Sequence, residues 1–197
     1  MVHPSPDPAV QPDSDRMLGR LNLNPPGMTL RQLLREDYDT HERDLFAQGL
    51  WAIAVHRFGN WRMGIRNRLL RGACSLLYRM GAKIVQWLCG IDLKYTTQVG
   101  RRVRLWHQGG MQLGALAIGD DVHIRQNTTM GVRRHGDPRW MKPVIGPNCQ
   151  INAGSVIVGP VVVGAGSVIG ANVVLAQDVS PNSIVTVPKP NVRLRTH

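Results

Sequence analysis

The sequence predicts an α+β fold in which a helical segment leads into a parallel β-helix, and three observations carry that prediction. Aliphatic residues return at every sixth position at Ile145, Ile151, Ile157, Val163, Ile169 and Leu175, with Gly146, Gly164 and Gly170 directly after three of them. Such a period gives each face of a three-faced coil one inward side chain, which only the stacking of successive coils can bury. The same register runs upstream through Val99-Gly100, Leu105, Ile118-Gly119, Ile124 and Met130-Gly131. Ahead of residue 91 that period is absent, and apolar residues recur at helical spacing instead.

In chain order, residues 1–28 hold six of the 13 prolines and no apolar run that would serve as a signal sequence. They are expected to be a disordered N-terminal segment. A helical domain follows over residues 29–90. Thr29 can cap a first helix carrying Leu30, Leu33 and Leu34, which runs into the acidic stretch Glu36 to Asp44. Two further helices are expected over Leu45 to Gly59 and Asn67 to Cys89. The β-helix occupies residues 91–187, and a basic tail closes the chain over 188–197.

The second and third helices are unusually apolar, with Trp51, Trp61, Leu69, Leu76, Leu77 and Trp87. Arg71, Arg79 and Lys83 interrupt a stretch that would need about 20 predominantly apolar residues to span a bilayer. Arg57, Arg62, Arg66 and Arg68 add to a pattern that also suits peripheral contact with an anionic membrane. Helix packing with a solvated basic face is the reading such charge favours.

One interruption of the β-helix stands out. Between Met130 and Ile145 the step is 15 residues instead of six, so nine leave the coil. The segment from Val132 to Pro143 is basic, turn-rich and aromatic, which suits a protruding surface loop. A functionless insertion is the competing reading, although long loops are uncommon unless used.

The net charge of +11 is shared: residues 92–197 carry 12 Lys or Arg against five Asp, which leaves +4 for the rest. No nucleic-acid recognition module is found, so nucleic acid is not an expected partner. A polyanionic small molecule or an anionic surface fits the charge as well. Cys74, Cys89 and Cys149 are widely spaced and form no ligand-like cluster. They argue for a reducing compartment and against a disulfide framework, with Cys149 a small packing residue.

Asp92 and His107 are the candidate catalytic pair. They lie 15 residues apart, close to one coil, which allows them to approach on adjoining coils. A carboxylate on one imidazole nitrogen fixes the tautomer and leaves the other nitrogen free to take a proton from a hydroxyl. From spacing alone a structural histidine is the commoner outcome.

The run Ile91-Asp92-Leu93, Val99-Gly100, Leu105-Trp106-His107, Ile118-Gly119-Asp120-Asp121-Val122-His123-Ile124 and Gln126-Asn127-Thr128-Thr129-Met130-Gly131 resembles the serine acetyltransferases, a family of hexapeptide-repeat acyltransferases. Leu34-Arg35-Glu36-Asp37 extends the resemblance into the helical domain, so it covers roughly residues 30–190. It implies a left-handed coil, assembly as a homotrimer, and acetyl-CoA in a groove between subunits as co-substrate, without a metal. It further implies His107 as general base oriented by Asp92, Gly131 with its N–H near the thioester, and Ala153, Gly154 and Ala171 as small residues along the pantetheine groove. Lys189, Arg193 and Arg195 could meet coenzyme A phosphates. The cysteine pattern makes a cytoplasmic location the expectation, and the basic, apolar helices leave the inner face of the membrane open as the place within it.

Two departures concern the acceptor. The family places an acidic residue before the catalytic His, and here Trp106 stands there. It also keeps an Arg-His pair just before the proline that ends the loop, where this chain reads Arg139-Trp140-Met141-Lys142-Pro143. Trp106 and Trp140 could make an apolar wall for a sugar ring, with Arg139 also at the acceptor. The expected reaction is therefore O-acetylation of a sugar hydroxyl in polysaccharide biosynthesis. L-serine O-acetylation in cysteine biosynthesis and a non-catalytic trimeric scaffold are the alternatives, with larger assembly through the N-terminal helices left open. A zinc-dependent reaction would need three converging His, and His107, His123 and His135 are poorly placed for that, with His135 in the loop.

Overall fold

The computed structural model describes residues 19–107 and 109–189. Most of the expected disordered segment, and Arg193 and Arg195, lie outside the described residues. Among the described residues three α-helices come first: α1 (Leu30–Thr40), α2 (Gln48–Trp61) and, after a 3-10 turn at Arg62–Gly64, α3 (Arg68–Cys89). Thr29 caps α1 with a reciprocal pair of bonds, its hydroxyl accepting from the Gln32 N–H at 3.3 Å and its own N–H donating to Gln32 Oε1 at 2.9 Å. The second helix starts later than expected because the Asp44 carboxylate and carbonyl accept from the N–H groups of Phe46 and Ala47, which makes a turn there. Asn67 caps α3 by accepting from Leu69 and Leu70, and Gly90, at φ 64°, ends it.

Fourteen short strands of the described residues then wind into three parallel sheets. The first face holds β1 (Ile91–Asp92), β4 (Met111–Leu113), β7 (Thr129–Gly131), β10 (Val156–Val158) and β13 (Val174–Leu175). The second holds β2 (Gln98–Val99), β5 (Ala117–Ile118), β8 (Val144–Ile145) and β11 (Val162–Val163). The third holds β3 (Arg104–Leu105), β6 (His123–Ile124), β9 (Gln150–Ile151), β12 (Val168–Ile169) and β14 (Ile184–Val185). Together they form a left-handed parallel β-helix.

The six-residue return becomes three ladders of stacked aliphatics. Val99, Ile118, Ile145 and Val163 pair in register on the second face. Leu105, Ile124, Ile151 and Ile169 do so on the third, and Leu113, Met130, Ile157 and Leu175 on the first. All twelve are buried. Because Ile118 pairs directly with Ile145, the long loop leaves and rejoins the coil without shifting the register. Cys149 is buried as a packing residue, its thiol 3.2 Å from the Gly164 carbonyl.

The helices dock on the first coil through polar groups. The Arg57 guanidinium, fully buried, grips both oxygens of buried Asp37 at 3.0 and 3.3 Å. It also donates to the carbonyls of Val99 at 2.8 Å and Gly100 at 2.6 Å. At the edge of this interface Arg101 meets Glu36, Arg102 meets Asp121, and Arg104 meets Glu42. His56 is also fully buried, with Nε2 2.9 Å from the Thr97 carbonyl. That acceptor assigns its proton to Nε2.

Two sequence expectations are corrected here. Arg57 and Arg62 are buried and not part of a solvated basic face, because each guanidinium finds carbonyl partners inside the helical segment and its docking surface. Nor does helix packing account for the apolar residues of α3. Only the side carrying Cys74, Tyr78, Val85 and Cys89 is buried, while Leu69, Leu76, Leu77 and Trp87 stay exposed.

Removing one partner of a buried ion pair strands the other charge. Asp37→Asn is expected to cost about 3–5 kcal/mol of unfolding free energy, read from urea denaturation. Burial first, and then the neighbouring Arg57 charge, hold His56 down at about 3. The unfolded chain takes up this proton near pH 6.5, the native chain only near 3. The His56 contribution is therefore complete above pH 6.5 and lost as pH falls toward 3. Between pH 6 and 4.5 stability should fall by about 1.4 kcal/mol per pH unit from this group, and His56→Gln should flatten that slope.

Candidate active site

Strand alternation aims Asp92 outward. Ile91 and Leu93 on either side of it point into the coil and are buried, whereas Asp92 is half-buried and pairs in register with Gln112 of the next coil. It opens into a cleft of about 440 Å³ between β1 and α3, whose polar lining includes Arg79, Lys83, Gln86 and Lys94. A single carboxylate thus faces a cationic cleft wall.

His107 sits at the corner between the third face and the first, one residue after Trp106 leaves β3, and is exposed. Its φ is 46°. Corners of this coil favour the left-handed region, and Asn127, Asn148, Asn172 and Asn182 fill it elsewhere with a side chain that tolerates it. His107 adopts it as Arg102 and Asp121 do at other corners. The chain turns on through Gly109 and Gly110, which stack on Gly90, where an added Cβ would meet Gly109 Cα at 3.1 Å. Asp92 and His107 therefore flank the first face on adjoining coils. Among the described residues no hydrogen bond joins them.

Trp106 is already engaged. Its indole N–H donates to His123 Nδ1 at 2.9 Å, and the Arg104 guanidinium covers one ring face at 3.5 Å from the centroid. The His107 ring lies 6.2 Å away, tilted by 44°. Arg104 is held in turn by Glu42 at 2.8 Å. Trp140 is half-buried in the loop, and among the described residues no ring contact links it to Trp106 or His107. The two-sided aromatic wall expected from the sequence is not assembled.

The small residues fall into order along the corner that carries His107. Asn127 N–H bonds the Gly109 carbonyl, Gly154 N–H that of Gln126, and Asn172 N–H that of Ala153. Ala153, Gly154 and Ala171 thus lie in one column above His107. Gly131 lies across the first face, at the edge where the loop departs. An Arg133 Nη donates to the Ala176 carbonyl at 2.6 Å, tying the base of the loop to a later coil. Arg139 is exposed, and Lys189 is exposed at the end of the described chain.

Sequence reasoning passed over Lys142. It is half-buried at the end of the loop, where burial first and then Lys94 and Arg139 hold its ammonium below the usual lysine range, while Asp92 opposes them. That set of neighbours brings the loop end to the Asp92 cleft. The available signal was position: Lys142 directly precedes Pro143, where the resemblance keeps a His. His123 was missed as well, since nothing in its spacing marks it as the acceptor for an indole. The arrangement offers an exposed imidazole, a nearby carboxylate and several cations, which suits proton abstraction from an acceptor that carries an anionic group. Among the described residues no three His, Cys, Asp or Glu converge to hold a metal ion.

Donation from Trp106 to Nδ1 favours the neutral His123 ring, and burial, then Arg104, already lower its pKa. Trp106→Phe keeps a ring under Arg104 but removes the donor. The His123 titration followed by NMR should then move upward toward the ordinary value, and an unchanged midpoint would contradict the bond.

Comparison with known proteins follows the same lines. Residues 142–177 match the family model for the bacterial transferase hexapeptide (six repeats). A serine acetyltransferase of Mycobacterium tuberculosis is 32% identical over 144 residues, covering 70% of this chain and 57% of that protein. That of Escherichia coli K12 is 31% identical over 141 residues, covering 71% and 48%. The chain thus spans about half the length of the curated relatives it matches. Among solved structures, serine acetyltransferase isoform 3 of Entamoeba histolytica in complex with cysteine superposes with a TM-score of 0.67 at 20% identity, covering 85% of this chain and 62% of that one. The Brucella abortus enzyme in complex with coenzyme A gives 0.66 at 22% identity, covering 90% and 81%. At these identities the superpositions speak for the fold.

Proposed function

From the premise that this chain is a hexapeptide-repeat, serine acetyltransferase-like protein, we propose that it is an acetyl-CoA-dependent O-acetyltransferase acting on the hydroxyl of L-serine. The observation that carries the reading is the sequence likeness to proteins named serine acetyltransferase, over a span that contains the corner histidine and the outward carboxylate of the adjoining coil. The polysaccharide acceptor expected from the sequence loses its main support, because Trp106 is committed to His123 and Arg104. Lys94 and Lys142 near Asp92, with Arg139 near Lys142, supply cations for a carboxylate in its place.

In this reading His107 takes the hydroxyl proton as the oxygen attacks the thioester carbonyl. The tetrahedral intermediate then expels the thiolate of coenzyme A, a C–O bond replaces the C–S bond, and the imidazolium returns the proton to sulfur. Asp92, one coil away, stabilises the imidazolium once the exposed His107 ring turns toward it. The Gly131 N–H faces the developing oxyanion, and Ala153, Gly154 and Ala171 leave room for the pantetheine arm along the corner column. Lys189 meets the phosphates. The homotrimer and a cytoplasmic setting are parts of the same proposal.

The deciding experiment is thiol release from acetyl-CoA with L-serine and with a panel of sugars. Saturable turnover with L-serine is expected, falling by about 10² to 10⁴ in His107→Ala, the usual range for a general base. Turnover on a saccharide alone would restore the glycan acceptor. Failure to bind acetyl-CoA at all would leave a trimeric scaffold.

A further inference from the structure

Helix α3 carries three faces. At about 100° per residue, Cys74, Tyr78, Val85 and Cys89 fall on one side, which is buried. Leu69, Leu76, Leu77, Met80, Trp87 and Leu88 fall on an adjoining arc of roughly 120°, each of them more than half exposed. Arg68, Arg79 and Lys83 occupy the remaining flank, exposed as well. Ile84, on the apolar arc, also lines an open groove with Leu45 and Trp51, and Phe46 beside that groove is 87% exposed. The apolar surface therefore continues from α3 to the turn ahead of α2. Contiguous exposed apolar surface of this kind marks a docking face.

Charge decides what docks there. Residues 45–91 contain no Asp or Glu, whereas Arg66, Arg68, Arg71, Arg79 and Lys83 lie on α3 or just before it. A second copy meeting the same face would set cations against cations, with no acid in either segment to answer them. An anionic bilayer supplies the opposite charge and accepts the apolar arc at its acyl boundary. The helix is about 33 Å long at 1.5 Å per residue, and no helix among the described residues is long and apolar enough to cross a membrane. We infer that α3 lies along the surface of a bilayer containing anionic phospholipid, its apolar arc inserted and its basic flank over the headgroups. Arg79 and Lys83 also line the cleft at Asp92, so the docked face and the cleft share a rim. The inference does not depend on which acceptor is acetylated.

The test is co-sedimentation of the full chain with vesicles of phosphatidylcholine alone or mixed with phosphatidylglycerol, at low and high salt. Binding to the mixed vesicles is expected to be at least tenfold tighter than to phosphatidylcholine, to weaken with salt, and to be lost in the double variant Leu77→Glu, Trp87→Glu. Circular dichroism checks that this variant is folded. Equal affinity for both vesicle types, or binding to neither, overturns the inference. So does a variant whose mass in solution by light scattering drops to a smaller assembly, because the face would then be a contact between copies.

Discussion

The buried guanidinium of Arg57 joins three parts of the molecule at once: the Asp37 carboxylate on α1, its own helix α2, and the carbonyls of Val99 and Gly100 in the first coil. Those carbonyls lie at the end of β2 and just beyond it, at the open end of the β-helix, where no earlier coil can accept or donate. Five directed N–H groups on a rigid plane let one side chain satisfy acceptors that a lysine could not reach together. That cover closes the first coil, and beside it α3 packs on β1, which carries Asp92, and forms one wall of its cleft. The site is thus built on the interface, not on the β-helix alone.

The β-helix was legible because its constraint is local and repeated. Each inward position admits only an aliphatic of limited size, so Ile145, Ile151, Ile157, Val163, Ile169 and Leu175 announce themselves, and the structure stacks them in register. The cap at Thr29 was legible for a similar reason, since its bonds span only three residues. Arg57 was not. Its partners lie 20 and 42 residues away, and in the sequence it is one arginine among many near Trp and Leu. The acidic stretch from Glu36 was equally opaque, although Glu36, Asp37 and Glu42 each answer an arginine.

The candidate site was half legible. Separation alone placed Asp92 and His107 on adjoining coils, and the small residues Ala153, Gly154 and Ala171 follow the corner because the coil period fixes which residues share an edge. The role of Trp106 could not be read, because a free aromatic wall and an indole clamped between a guanidinium and an imidazole leave the same letter in the chain. Lys142 belongs with it: its meaning comes from Lys94 and Asp92, neighbours that only the return of the loop supplies.

That return has a consequence for how such a protein can change. Val144 and Ile145 take up pairing with Ala117 and Ile118 as though the preceding detour had never happened, and each coil contacts little beyond the coils above and below it. Closing a longer or shorter detour costs only logarithmically in length. The segment that delivers Lys142 can therefore change length without shifting the register of the stack that carries it. That segment can vary by insertion, deletion or exchange while the stack keeps its stability and the corner that carries His107 stays where it is.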